Sequence, residues 1–221
     1  MTKPILKLLT LAAIIATLLH PSVALAANIV GAVSDVEGTV TVVSAGGKEP
    51  HALHRNDGIA VNDTISTGRK SRVNVVFSDQ TKLSMEENGT LTIDKFIYDP
   101  KQPEEGKGLF TILGGAFTYV SGLMDKGRRP DVTLQLETGA LGIRGTQLMG
   151  AMRGAGKDSE RWIYLKSGKI SVYNAAGAVT LNPGEGTIMK SKQQAPAKPH
   201  IWKARELLWI KSQVTGHDIQ W

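Results

Sequence analysis

Thr138-Gly139-Ala140-Leu141-Gly142-Ile143-Arg144-Gly145-Thr146 sets three glycines and one arginine inside a strand-like run, with Val132-Thr133-Leu134-Gln135-Leu136 before it and Gln147-Leu148-Met149 after it. Glycine has no Cβ, so it takes positive φ or lets a second backbone come close, at a cost in strand stability. The backbone therefore turns or kinks where a flat strand would otherwise continue. Arg144 offers five donors in one plane, suited to tying together the carbonyls of neighbouring turns or to pairing with a carboxylate. A structural clamp at a β-corner is the favoured reading and a ligand-binding arginine the competing one. As a clamp on a buried partner, Arg144→Ala is expected to cost about 2–4 kcal/mol.

Upstream, the chain repeats short alternating segments. Ile29 to Val33 and Thr39 to Val43 read as strands, Ala45-Gly46-Gly47-Lys48 as a turn, and Asn56-Asp57-Gly58, Asn62-Asp63 and Thr67-Gly68-Arg69-Lys70 as further punctuation. Val73, Val75 and Phe77 mark a half-buried strand, followed by Leu83 and Met85, then by Leu91 and Ile93 after the Asn88-Gly89 turn. Period two with such frequent turns predicts an all-β module. Asp99 to Gly108 is a solvated loop by composition, Leu109 to Leu113 and Ala116 to Val120 are strands around Gly114-Gly115, and Met124 to Pro130 is a basic turn carrying Lys126, Arg128 and Arg129.

Downstream, four more short strands are predicted at Trp162 to Lys166, Lys169 to Tyr173, Ala178 to Leu181 and Thr187 to Lys190. Gly168-Lys169-Ile170-Ser171-Val172 echoes Gly38-Thr39-Val40-Thr41-Val42 at an offset of 130 residues, and Leu181 and Glu185-Gly186 then echo Leu53 and Asp57-Gly58. A repeated hairpin near both ends of the β region points to stacked or rolled sheets. Residues 27–192 are thus one β module, with a hairpin extension at 160–192. Residues 193–199, Gln-Gln-Ala-Pro-Ala-Lys-Pro, read as a linker, and 200–221 as a C-terminal amphipathic helix and tail. In that helix Ala204, Leu207, Leu208 and Lys211 follow three-four spacing, and Trp202 and Trp209 share a side. Packing back on the β module is the favoured reading and partner binding the competing one. Because Trp202, Trp209 and Trp221 are three of the four tryptophans, this tail is a candidate contact surface, as is the Lys126, Arg128, Arg129 turn.

Residues 1–26 carry the pattern of a secretory leader: Lys3 and Lys7, an apolar run from Leu8 to Leu19, and Ala24-Leu25-Ala26 before the expected cleavage. The apolar run is too short to span a bilayer, which takes about 20 residues. The formal charge of +6 falls to +4 once Lys3 and Lys7 are removed, too mild and scattered to argue for nucleic-acid binding. With no cysteine, disulfides, thiolate metal sites and cysteine nucleophiles are excluded. The expected location is the periplasm or the secreted fraction, with no integral membrane segment after cleavage.

No catalytic pattern emerges. His51 and His54 lack a companion ligand at metal-binding spacing, there is no GxSxG, and the Gly114-Gly115 region lacks the lysine of a phosphate cradle. Asp57, Asp63, Asp79, Glu86, Glu87 and Asp94 could supply an acid–base pair for a glycosidic bond, but their places at turns favour backbone roles. Catalytic, cofactor and metal residues are therefore all expected to be absent.

Taken together, Gly38-x-Val40-x-Val42, Asp63-Thr64-Ile65-Ser66-Thr67-Gly68, Ser71-Arg72-Val73-x-Val75-x-Phe77-Ser78-Asp79, Leu83-x-Met85, Leu91-x-Ile93 and Ala140-Leu141-Gly142-Ile143-Arg144-Gly145-Thr146 resemble the FecR domain of bacterial extracytoplasmic proteins, over roughly residues 30–150. Asn56 and Gln80 stand where that family usually has glycine. The resemblance implies an all-β periplasmic module, a short-stranded β-sandwich or a β-roll or solenoid-like sheet, with Gly142, Ile143, Arg144, Gly145, Thr146, Asp63, Thr67, Gly68 and Asp79 as a structural signature. In its best-known setting the family relays an iron-uptake signal to a sigma factor through a membrane-spanning chain. With a cleavable leader and no later span, that role is not carried over. The resulting expectation is an exported non-enzymatic binding or scaffold module of the cell envelope, linked to signalling or envelope assembly, whose partner is an envelope protein or glycan. The alternatives are a peptidoglycan- or polysaccharide-binding protein and, behind it, a carbohydrate-active enzyme using turn carboxylates.

Overall fold

The computed structural model describes residues 28–124, 131–154, 156 and 159–214. The leader read in 1–26, the basic residues Lys126, Arg128 and Arg129, and Trp221 lie outside these. The strands are β1 (Ile29–Glu37), β2 (Val40–Val43), β3 (His51–Ala52), β4 (Gly58–Ala60), β5 (Thr64–Thr67), β6 (Arg72–Phe77), β7 (Lys82–Met85) and β8 (Gly89–Ile97). They continue with β9 (Lys107–Gly114), β10 (Ala116–Val120), β11 (Asp131–Leu136), β12 (Gly139–Arg153), β13 (Glu160–Asn174), β14 (Gly177–Leu181), β15 (Glu185–Met189) and β16 (His200–Ile201), before helix α1 (Ala204–Gln213).

All sixteen strands belong to one hydrogen-bonded sheet. Its order is β3-β2-β5-β8-β9-β11-β12-β10-β7-β6-β1-β4, with β13 on β12, β14 and β15 on β13, and β16 on β15. The sheet curls into two facing layers because β12 passes from one to the other: its first half pairs with β11 and its second half with β10. Phe96 and Phe110 of the first layer meet Phe77 and Tyr119 of the second, with ring centroids 5.1 to 6.4 Å apart. One cluster of buried aliphatic and aromatic residues from both layers fills the space between them. The all-β expectation with a C-terminal helix therefore stands.

The two layers are joined at corners, and glycine makes both. In β12 the register shifts between Arg144 and Gln147, at Gly145 (φ +58°). Opposite it Gly168 has φ +87°, and a Cβ there would lie 1.9 Å from the Gly145 carbonyl oxygen. At the other corner, between β1 and β2, Gly38 has φ +73° and a Cβ would stand 2.5 Å from Ser71 Oγ. The sequence echo is a structural repeat. Leu53 donates its N–H to the Val40 carbonyl as Leu181 pairs with Ile170; before the glycine the pairing also recurs, Ala32 with Gly58 and Tyr164 with Gly186, but displaced by two residues, Ala32 lying six before Gly38 and Tyr164 four before Gly168. Even the turn acids correspond: Asp57 accepts the His54 N–H at 2.8 Å and Glu185 the Asn182 N–H at 2.7 Å.

Three expectations need revising. The segments Trp162 to Lys166 and Lys169 to Tyr173 are one continuous strand, β13, because Gly168 bends the chain without ending its pairing to β12. Residues 193–199, read as a linker by composition, are bound along the module: Ala197 donates to the Ile188 carbonyl and accepts from Thr187 Oγ1 at 2.6 Å, and the Asn174 amide donates to Gln194. The helix starts at Ala204 rather than His200, since His200 and Ile201 add a short strand to β15.

Candidate functional site

The signature residues hold backbone. Asp63 is buried at the start of β5, and its carboxylate accepts the N–H of Ala60 at 2.8 Å and of Ala45 at 3.2 Å. Thr67 donates its hydroxyl to the Glu86 carbonyl and accepts the Gly89 N–H. Gly68 donates to the Thr39 carbonyl at 2.9 Å. Asp79, fully buried, accepts from the Thr81 N–H and hydroxyl and from the Met124 N–H, so it shapes the 121–124 turn. Thr146 donates its N–H to Ser121 Oγ at 2.7 Å, and Ile143 lies in the core. Gly142 is not sterically required, since a Cβ there would find its nearest neighbour at 3.8 Å.

Arg144 is not the clamp. It is exposed on β12, and no hydrogen bond or ion pair joins it to another described residue. Ordinary strand alternation turns its side chain away from the core that Leu141 and Ile143 enter, before the bulge is reached. Arg161 does what was expected of Arg144. With 0% of its surface exposed, it donates to the carbonyls of Gly115 at 2.8 Å and Gly114 at 3.1 Å and pairs with Glu137 Oε2 at 2.8 Å. The other oxygen of Glu137 accepts the Gly114 N–H. Positive φ at Gly114 and Gly115 aims their carbonyls at the guanidinium. Alternation carried this signal in the sequence, because Arg161 shares the inward phase of Ile163 and Leu165 in β13.

The C-terminal segment packs back on the second layer. Trp202, at 3% exposure, is interior and so is not available as a contact residue. Its ring lies 5.3 Å from that of Trp162 and 5.4 Å from that of Tyr164, in space left by Gly186, where a Cβ would meet the indole at 2.0 Å. Trp209 of α1 packs tilted against Trp162, ring centroids 4.9 Å apart, and the Arg153 guanidinium lies over both rings at 4.7 and 5.2 Å, a cation–π arrangement. Ile210 and Val214 complete the contact against Ala116, Met149 and Ala151. Leu208, one of the residues in the three-four pattern, is 70% exposed instead.

Two carboxylates fix this docking. Burial opposes ionisation of Glu206, but the Lys203 N–H (2.8 Å) and His200 (2.9 Å) outweigh it and hold its carboxyl below the usual range. The Trp162 indole N–H, at 3.1 Å, is the main cause that lowers Glu160, with Lys190 adding to it against the cost of burial.

A polar cleft of about 630 Å³ opens beside the end of α1. Lys70 to Arg72, Glu86 to Asn88, Gly115-Ala116 and Ser212-Gln213 bound it. Glu87 accepts the Lys70 N–H, Arg72 pairs with Glu37 at 3.0 Å, and among the described residues no three His, Asp or Glu side chains converge as for a metal ion.

The family model for FecR protein matches residues 63–161, from the acid before β5 to the buried arginine of β13. This chain carries a FecR domain. The matched region begins later than the roughly 30–150 expected, leaving β1 to β4 outside it. Two crystal structures of a putative anti-sigma factor from Parabacteroides distasonis ATCC 8503, at 1.65 and 2.50 Å resolution, are similar to it, each with a TM-score of 0.51 and 13% identity over 66% of this chain. The match spans 62% of the length of that protein, and at this identity the likeness is one of fold. No curated protein sequence matches the chain.

Proposed function

We propose that the mature chain, exported by the leader read in residues 1–26, is a non-catalytic FecR module that binds a component of the bacterial cell envelope. The observation that carries this reading is the use made of the polar signature. Of the six turn acids, Asp57, Asp63, Asp79 and Glu87 each accept backbone N–H groups, and the buried arginine is spent on two carbonyls and Glu137. Groups committed to holding turns are poor acids, bases or nucleophiles, because chemistry would require them to leave those bonds. The result is a rigid scaffold with polar surfaces. FecR domains are typical of the extracytoplasmic side, which agrees with a leader and with the absence, among the described residues, of a helix long and apolar enough to cross a membrane.

The cleft beside α1 is the docking place this reading favours for a protein partner, since it draws on both layers and the helix end. Ser212→Trp, at an exposed position on its rim, would fill it without touching the core. Affinity capture from an envelope fraction with the mature chain is expected to retain one component that the Ser212→Trp chain loses while keeping its melting temperature. Identical capture by both chains would remove the cleft from the account. Hydrolysis of peptidoglycan or of any tested polysaccharide would overturn the non-catalytic reading.

A further inference from the structure

The outward face of the first layer carries threonines in register across neighbouring strands. We propose that it binds an acidic polysaccharide. This deepens the binding-module reading and rests on it, but uses a surface away from the cleft.

The inward residues of β5, β8, β9, β11, β12 and β13 are buried and mostly apolar, so their alternates face out. Those alternates include a set of hydroxyl and amide side chains in register, together with charged residues and the apolar Ile97, Leu109 and Leu113. Thr64 opposes Thr92, Thr92 opposes Thr111, and Thr111 opposes Gln135, with the Thr64 and Thr92 hydroxyls 3.1 Å apart. A second row runs Thr133, Gly142, Ser171, Thr180 across four strands. At a strand spacing of about 4.8 Å the nine strands of this layer make a face on the order of 40 Å wide. Helix α1 lies on the other layer.

Charge selects the kind of polymer. Arg144 and Lys169 are directly opposite each other, both exposed, and neither forms an ion pair with a described carboxylate. Like charges in that position destabilise a strand pair. Lys95 and Lys107 extend the same margin, where Asp131 is engaged by Lys107 at 3.5 Å and Asp94 is the other carboxylate. Four cations against two acids leave a standing positive excess beside a field of groups that both donate and accept hydrogen bonds. A sugar chain bearing carboxylates matches both features: its hydroxyls meet the threonines, its acids meet Arg144 and Lys169, and Tyr173, 39% exposed and four residues along β13 on the same face, offers a ring face to a pyranose further along the chain. The large apolar residues of this face, Ile97, Leu109 and Leu113, alternate with Lys95, Lys107 and Thr111 along β8 and β9, whereas a protein interface would concentrate aromatic and methionine side chains at its centre and a membrane-lying surface would gather large apolar ones.

The test is calorimetric titration of the mature chain with polygalacturonate, with dextran as the neutral polymer and vesicles of phosphatidylglycerol and phosphatidylcholine as the lipid probe. Polygalacturonate is expected to bind, more weakly as salt rises, and at least about ten-fold more weakly to the Arg144→Glu/Lys169→Glu chain at an unchanged melting temperature. Should that chain fold poorly, Arg144→Gln/Lys169→Gln reads the same loss without charge reversal. Equal affinity in wild type and variants, no binding of the polymer, or binding of vesicles in preference to it would overturn the proposal. Capture of a partner that Ser212→Trp abolishes would leave the binding module standing even then, whereas turnover of the polymer would sink both.

Discussion

Gly168 admits no side chain, because its φ of +87° and the Gly145 carbonyl 1.9 Å from where a Cβ would sit leave no rotamer to choose. Arg161 is equally constrained by its two carbonyls and Glu137. Removing it strands a buried acceptor set, so Arg161→Ala should cost about 3–5 kcal/mol in urea unfolding. Arg144→Ala should change stability by less than about 0.5 kcal/mol, as at an ordinary surface position. Equal losses at both positions would restore the signature arginine as the clamp. Gln80 is a milder case: it holds φ +72° at a position where FecR relatives were expected to carry glycine, and Asn56 holds φ +71° at the other. Gln80→Gly should raise stability by about 0.5–1 kcal/mol, the relief of left-handed strain less the entropy glycine adds to the unfolded chain. The sequence showed that glycines bend the chain near residue 145, but it assigned the clamp to Arg144. Alternation with the inward Leu141 and Ile143 already places Arg144 outside, before the bulge, and motif prominence drew attention to it over the inward phase of Arg161.

At the scale of the element, α1 is a short helix that persists through docking, its Trp209 and Ile210 lying on the Trp162 cluster. Gly186→Ala would push the Trp202 indole off the sheet and should cost about 1–3 kcal/mol, with a red shift of tryptophan emission as Trp202 reaches water. Unchanged emission would mean that the ring is not held there. The Glu206 cap adds a pH dependence. Its carboxyl titrates lower folded than unfolded, so the stabilisation is present above the unfolded value of about 4.3 and is lost as pH falls through the lower folded value. Tryptophan emission should therefore shift in the acid range below about pH 4, and Glu206→Gln should shrink that transition. Three-four spacing gave the helix its place in the sequence, yet it favoured Leu208, which faces solvent, because spacing alone does not orient a helix of three turns against a surface. The proline-rich stretch read as a linker before it runs along β15, where the Thr187 hydroxyl supplies an anchor to Ala197.

At the scale of the molecule, the β periodicity, the turns and the repeated hairpin were all legible in local pattern. The closure of sixteen strands into one curled sheet was not. It depends on long-range pairings such as β10 on β7 and the parallel pair β9 and β11, which no local pattern specifies. The candidate surfaces followed the same division: the cleft and the threonine face exist only once distant strands are brought side by side. If both corners belong to one sheet around one core, damage at one must propagate to the other, since opening either exposes the shared aromatic cluster. Peptide-resolved native-state hydrogen exchange of Gly168→Ala tests this most directly. The account predicts lost protection in strands across 29–97 as well as across 139–189; loss confined to 139–189, with the N-terminal strands as protected as in the wild type, would contradict it.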